Sequence, residues 1–382
     1  MADTAPAPAR LMSIDVFRGL TIAAMVIVDN PGDWNNVYAP LLHAEWNGTW
    51  WTPWTPTDLI FPFFVFILGL SLTLSPRAVE SLPRIFKRAA VLFLCGFALA
   101  YYVRFNFSTV RIPGVLVRLS LCSLFASLIY RQVLKLEEEA RLQAVMGVTA
   151  VLLLGYWALL MFVPAPGGVA GDLTPSGNLG AWIDRTLIGT QHLWSSTKTW
   201  DPEGLFGTIP AVATALTGVA AGLVLRGKRT DVEKTAVFIV AGGVSVLGAV
   251  VWDQRFVITK SLWTSSFVLL TSGLAAIALG ACYWMIDVQG RRRFLRPFVV
   301  MGTNPLALFV MSGWLIKTLL WIKVMSPAGK QIALYNWIYM HAFLPLGLGG
   351  PKNTSLAFAF ATLLLLYVPL EVMYRKRLFW RA

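Results

Sequence analysis

Apolar stretches near the ~20 residues needed to cross a bilayer recur from one end of this sequence to the other, and they constrain its fold more than any other feature. About ten can be drawn, at 11–30, 58–75, 88–103, 113–130, 142–163, 206–225, 235–251, 262–286, 297–323 and 354–374. Hydrophobic residues make up 57% of the chain and charged ones 13%, against roughly a quarter charged in soluble domains, so a soluble enzyme is excluded. The expected fold is an all-α, polytopic integral membrane protein with one domain over 11–374. Residues 1–10, rich in Ala and Pro, lack the long apolar core and cleavage site of a secretory signal and read as a short disordered tail. Residues 375–382 read as a basic tail.

The net charge of +13 would suggest nucleic acid in a soluble protein. Here the cations gather in short clusters between apolar runs. Arg10, Arg77, Arg84, Lys87, Arg88, Arg131, Lys135, Arg141, Arg226, Lys228, Arg229, Lys234, Arg291, Arg292, Arg293, Arg296, Arg375, Lys376, Arg377 and Arg381 all fall on one side of the alternating topology. The positive-inside rule makes that side, and both termini, cytoplasmic; membrane lipid rather than nucleic acid is the expected partner. The other side holds the Trp-rich loop 31–57, the loop 104–112, the Pro/Gly-rich segment 164–205, the loop 252–261 and the segment 324–353, so chemistry on exported material belongs there. Cys95, Cys122 and Cys282 are dispersed within apolar runs, which fits packing and neither a disulfide framework nor a zinc site.

Several ionisable residues interrupt the apolar runs. Asp15, Arg18 and Asp29 share one face of the first span. Charges inside a membrane cost several kcal/mol unless they pair or line a wet cavity, so this stripe marks either a lined passage or, for Asp15 and Arg18, an interfacial ion pair. Arg118 and Lys317 are further intramembrane cations, open to a functional or a snorkelling structural reading.

The densest polar stretch runs from Asp29-Asn30-Pro31-Gly32-Asp33-Trp34 through His43-Ala44-Glu45-Trp46-Asn47-Gly48 to Thr57-Asp58. Its tryptophans suit interfacial anchoring, and one or two of them suit stacking on a sugar ring. Of the three histidines, His43 alone has carboxylates and carboxamides on both sides; His192 and His341 lack such company. An imidazole titrates near ~6.5 and can accept a proton from an attacking amine or hydroxyl, which makes His43 the best base candidate. Asp58 fits two roles, holding the His43 tautomer or capping the second span.

Ser13-Ile14-Asp15-Val16-Phe17-Arg18-Gly19, His43-Ala44-Glu45-Trp46-Asn47-Gly48 and Thr57-Asp58-Leu59-Ile60-Phe61-Pro62-Phe63-Phe64 closely resemble heparan-α-glucosaminide N-acetyltransferase and its bacterial relatives, a transmembrane acyltransferase family. Arg111-Ile112-Pro113-Gly114, Asp201-Pro202-Glu203-Gly204, Lys260-Ser261-Leu262-Trp263-Thr264 and Gly302-Thr303-Asn304-Pro305 extend the resemblance, in consistent order, over nearly the whole chain. It implies acetyl transfer from cytosolic acetyl-CoA, without a metal, to an amino sugar such as glucosamine on the periplasmic face of a bacterial inner membrane. It also implies a homodimer.

By the same resemblance His43 is the catalytic residue. The family's assisting asparagine aligns with Asp29, or with Asn30 after a one-residue shift. Asp58 completes the expected catalytic set; Asp15, Arg18, Arg118 and Asn304 are expected to bind the acyl donor, and Glu45, Trp46, Asn47, Glu203 and Lys260 the sugar. The pantetheine arm of acetyl-CoA reaches roughly 15–20 Å when extended, and Arg18 and Asp29 stand about 16 Å apart along a helix. Two other readings are compatible with the sequence: a transporter of amino sugars, disfavoured by the lack of a visible internal repeat, and an O-acyltransferase of an envelope glycan.

Overall fold

The computed structural model describes residues 11–75, 79–326 and 329–380. The 1–10 tail, Arg77 and Arg381 lie outside the described residues. The described residues are mostly helical: α1 (Met12–Asp29), α2 (Ile60–Leu74), α3 (Leu82–Tyr101), α4 (Val115–Val133), α5 (Glu138–Phe162), α6 (Leu179–Ile188), α7 (Thr208–Arg226), α8 (Asp231–Asp253), α9 (Ser265–Cys282), α10 (Arg296–Thr303), α11 (Pro305–Trp321), α12 (Leu334–Ile338) and α13 (Pro351–Arg375). The described strands form a short antiparallel ribbon, β1 (Lys323–Met325) with β2 (Gln331–Ala333).

Among the described residues, seven helical segments are long and apolar enough to cross a membrane, and an eighth is obtained if α10 and α11 count as one broken span. The stretch drawn as a single span over 297–323 is bent by 83° at Asn304. Pro305 causes the break, because it has no N–H to donate and pushes the preceding residue out of helical conformation; Asn304 accordingly sits at φ −132°, ψ 50°. The segment 164–205 contains the amphipathic α6, whose N-terminus Asn178 caps by accepting from the Ala181 N–H at 2.8 Å.

Between helices in lipid there is little hydrophobic driving force, so close backbone approach must supply the association. A Cβ on Gly218 of α7 would lie 1.9 Å from the Phe66 carbonyl oxygen of α2, and one on Gly302 of α10 would lie 1.8 Å from the Asp15 carbonyl oxygen of α1. These contacts hold α2 against α7 and α1 against α10. The start of α1 is closed by a partner from far along the chain: Asp287 accepts from the N–H groups of Met12 and Ser13, both at 3.1 Å.

The end of the bundle that matters for function collects the C-terminus of α1, the N-termini of α2, α4, α7 and α9, and the loops that lead into them. The loop after α1 is pinned there. Gly32 donates to the Ser355 carbonyl at 3.1 Å, and Tyr335 donates to the Pro31 carbonyl at 2.5 Å.

Candidate active site

His43 comes from the loop between α1 and α2, and that loop is fastened to the turn preceding α2. Thr57 donates to the Pro40 carbonyl at 3.0 Å and Thr55 to the Leu42 carbonyl at 2.6 Å. Asp58 lies in this turn, 0% exposed. One of its oxygens is 2.7 Å from His43 Nδ1; the other accepts from the N–H groups of Ala44 at 3.2 Å and Thr55 at 3.0 Å. Asp58 therefore closes a capping box with Thr55 and also contacts the imidazole. The roles of cap and orienter coexist on its two oxygens. A carboxylate at Nδ1 selects the tautomer with its proton there and leaves Nε2 as the acceptor nitrogen.

Lys260 approaches His43 from the loop before α9, with Nζ 3.2 Å from Nε2 and 3.4 Å from Nδ1. That loop is rigid. Trp263 adopts a left-handed φ of 51°, is fully buried, and donates to Thr214 at 3.1 Å, while Thr264 caps α9 and donates to the Val257 carbonyl at 2.7 Å.

His43, Lys260 and Asp29 line a cavity of about 270 Å³ together with Arg111, Trp194 and Glu203. Arg111 forks onto Asp201 at 2.8 and 2.5 Å and reaches Glu203 at 2.6 Å. Burial pushes the Glu203 carboxyl up, but the Arg111 guanidinium, then Lys260 and Arg118, outweigh it and hold the group below its ordinary value. Burial likewise works against the charge on Arg111, and its two carboxylates more than compensate, raising its pKa. One wall of the cavity is thus a fixed ion cluster, facing the imidazole across the space.

A second cavity of about 830 Å³ opens toward the opposite end of the bundle. Its rim carries Arg18, Arg84, Lys87 and Arg88, and the Nε of Arg88 is buried with no hydrogen-bond partner among the described residues. Asp15, Arg18, Ile22 and Met25 of α1 line it at helical spacing, and Met25 and Val115 line both cavities. Arg18 is 3.5 Å from Asp15 and donates to Ser71 at 2.9 Å and to the Gly302 carbonyl at 3.2 Å. The Asp15–Arg18 pair is present on α1, and the same two residues line the larger cavity while Asp29 lines the smaller one.

Other residues singled out in the sequence stand elsewhere. Asn30 is buried away from the cavity, its amide donating to the Val26 carbonyl at 2.5 Å and to Ser312 at 3.1 Å, so its donor is consumed between α1 and α11. Arg118 lines neither cavity: it is buried on another face of α4, donates to the Gly204 carbonyl at 2.7 Å and lies 4.9 Å over the Trp263 ring. Asn304 does not line the large cavity but holds its rim. It accepts from Trp380 at 2.8 Å and donates to the Leu378 carbonyl at 3.0 Å, which sets Phe379 and Trp380 at the mouth.

Glu45 is exposed and outside the His43 cavity. Trp46 packs edge-on against Trp51, centroids 5.3 Å apart, and the Asn47 oxygen is occupied by Thr49 and Trp50 of its own turn. His192 and His341 each contact a backbone carbonyl, those of Val110 and Trp337. Arg111 and Trp194 are among the wall residues that the sequence did not assign to the site. The sequence signal for Arg111 is its place in the family-like motif Arg111-Ile112-Pro113-Gly114; its pairing with Asp201 and Glu203, about 90 positions later, appears only in the fold.

Fold and site together define a multi-pass membrane protein with a histidine–carboxylate pair whose histidine lines one of two cavities that share Met25 and Val115. Residues 10–250 match the family described as heparan-alpha-glucosaminide N-acetyltransferase, catalytic. Human heparan-alpha-glucosaminide N-acetyltransferase is 30% identical over 357 residues, covering 79% of this chain and 52% of the human protein. The mouse protein of the same name is 31% identical over 355 residues, covering 79% and 53%. The chain belongs to this family and spans about half the length of the curated relatives it matches. His43, Asp58, Arg111 and Glu203 fall within the matched segment; Lys260 lies just beyond it.

Proposed function

We propose that this protein is a transmembrane acetyltransferase that takes the acetyl group of acetyl-CoA from the cytoplasmic side and passes it to the amine of an amino sugar on the periplasmic side of a bacterial inner membrane. The observation that carries the reading is the abutment of the two cavities at Met25 and Val115, one with a cationic rim and the other containing His43. In this reading α1 and α3 join the eight apolar spans to make ten crossings, with both ends of the chain cytoplasmic. Both helices are richer in charge because they line the passage, α1 through Asp15, Arg18 and Asp29 and α3 through Arg84, Lys87 and Arg88.

The residues present fit acetyl-CoA in chemical kind. Arg18, Arg84, Lys87 and Arg88 would hold its phosphates, the unpartnered Nε of Arg88 among them, and the apolar shaft past Ile22 and Met25 would take the pantetheine arm. Acetyl-CoA supplies an activated carbonyl whose C–S bond breaks as the amine nitrogen bonds to carbon. His43 Nε2 takes the proton the amine loses and returns it to the thiolate, so CoA leaves as the thiol. Asp58 keeps the imidazole in the tautomer that can do this. Lys260 stabilises negative charge on the carbonyl oxygen, and Asp29 and Glu203 orient the sugar's amine and hydroxyls at the cavity wall.

The test uses vesicles loaded with glucosamine, with the protein in the membrane and acetyl-CoA outside. N-acetylglucosamine accumulating within the vesicles, with stoichiometric CoA outside, is the expected result where the cationic rim faces out. Glucosamine flux without acetyl-CoA and without product would refute the reading in favour of a transporter.

A further inference from the structure

A third cavity, of about 650 Å³, lies between α3, α4 and α11 at the His43 end of the bundle. Its outer part is cationic: Arg104, Arg111, Lys317 and Lys323 line it, and no Asp or Glu does. Arg111 is committed to Asp201 and Glu203. Arg104, Lys317 and Lys323 make no ion pair among the described residues; they contact Ser195 and the carbonyls of Leu99 and Leu320. The inner part is apolar, reaching Gly96, Val117 and Phe309 within the span of the helices. Leu320 and Trp321 at the mouth are 44% and 58% exposed, so the opening faces outward beside α11. Arg111, Val115 and Trp194 line this cavity and the His43 cavity alike.

Three cations without counter-charge at the membrane interface, above an apolar slot, complement an amphiphile whose anionic group sits at the headgroup level and whose chain runs inward. We propose that this cleft binds the phosphate and hydrocarbon chain of a lipid-linked acceptor, an amino sugar joined through phosphate to a membrane lipid, and delivers the sugar past Arg111 and Trp194 to His43. This rests on the acetyltransferase reading and names its acceptor class; the group-transfer step is unchanged. Arg104 and Lys323 contact the phosphate, and Lys317 holds the neck of the slot.

The test compares two acceptors, glucosamine and glucosamine 1-(decyl phosphate), in purified protein with acetyl-CoA, reading CoA release. The decyl phosphodiester is expected to show a KM at least about tenfold lower than glucosamine. In the Arg104→Gln/Lys323→Gln variant its KM should rise about thirtyfold more than that of glucosamine. Equal KM values for the two acceptors, or equal changes in the variant, would overturn the assignment. If neither acceptor releases CoA, the acetyltransferase reading fails by itself, and decyl phosphate binding, followed by quenching of tryptophan fluorescence, decides on the cleft. Saturable binding weakened in the variant supports an anionic amphiphile site; no saturable binding, or equal binding by the variant, overturns it. An unchanged thermal midpoint of the variant shows that the comparison concerns binding and not folding.

Discussion

Replacing Asp58 by Asn separates the carboxylate's two roles, because an amide can satisfy one set of its partners but not both. If the amide oxygen stays with the Ala44 and Thr55 N–H groups, at 3.2 and 3.0 Å, its NH₂ faces His43 Nδ1. The imidazole must then accept at Nδ1, which moves its proton to Nε2 and removes the lone pair from the cavity. The flipped amide would set NH₂ against two backbone donors, leaving buried groups unpaired at about 1–3 kcal/mol each, so the first orientation wins. The expected loss in kcat is that of a general base, about 10²–10⁴, or roughly 3–5 kcal/mol in the barrier. The cost in stability is smaller, about 1 kcal/mol, since the capping oxygen survives and only its charge at a helix start is lost. Steady-state CoA release and a thermal midpoint in the same detergent read the two quantities. The control is Thr230→Ala, which removes the hydroxyl side of the capping box at the start of α8, remote from His43; it costs about 1 kcal/mol and should leave kcat within about threefold. An Asp58→Asn protein with native kcat and a lowered midpoint would show that Asp58 is a cap alone and refute the reasoning.

Three other outcomes follow from the same structure. Met25→Trp enlarges a side chain that lines both cavities; acetyl transfer should fall by about tenfold or more for a stability change of about 1–3 kcal/mol, and native turnover would mean the acetyl group travels by another route. Gly302→Ala places a methyl 1.8 Å from the Asp15 carbonyl oxygen and should cost upward of about 2 kcal/mol, read as a lowered midpoint; an unchanged midpoint would show that α1 and α10 can separate freely. Asp184, on α6, is pushed up to about 6 by burial, against hydrogen bonds from Phe206 and Leu205 and the charge of Arg118. A raised carboxyl pKa adds stability that is full below the unfolded value near ~4 and is lost as pH rises through 6, at most about 3 kcal/mol here. Asp184→Asn keeps the acceptor for the Leu205 and Phe206 N–H groups, so its midpoint should lack that component of the change between pH 4 and 7. Parallel pH curves for the two proteins would contradict this.

Much of the architecture is legible in the sequence because spans are set by bilayer thickness, and the stripe Asp15, Arg18, Asp29 needs only helical geometry to be placed on one face. His43 with Asp58 is legible for a related reason: only 15 residues separate them, and the turn Thr55-Pro56-Thr57-Asp58 folds back locally. What depends on tertiary packing is harder to read. Arg118 looked like a lining cation, yet helix rotation turns it onto Gly204 and Trp263. Asn30 and Asp29 are adjacent but point to opposite surroundings, one into the α1–α11 contact and the other into the cavity. Asn304 carried a local signal in the Pro305 that follows it, and the 83° bend is its consequence. The pairing of Arg111 with Asp201 and Glu203 joins two motifs separated in the chain by α4, α5 and α6, which no periodicity reveals.

The central claim is that His43 performs acetyl transfer from acetyl-CoA to an amino sugar. CoA thiol release by the purified protein with acetyl-CoA and glucosamine, measured for the native chain and for His43→Ala, tests it most directly. The native protein is expected to release CoA with one N-acetylglucosamine formed per CoA, and the variant to do so at a rate lower by about 10²–10⁴. No release with any amino sugar, or an equal rate in His43→Ala, would contradict it.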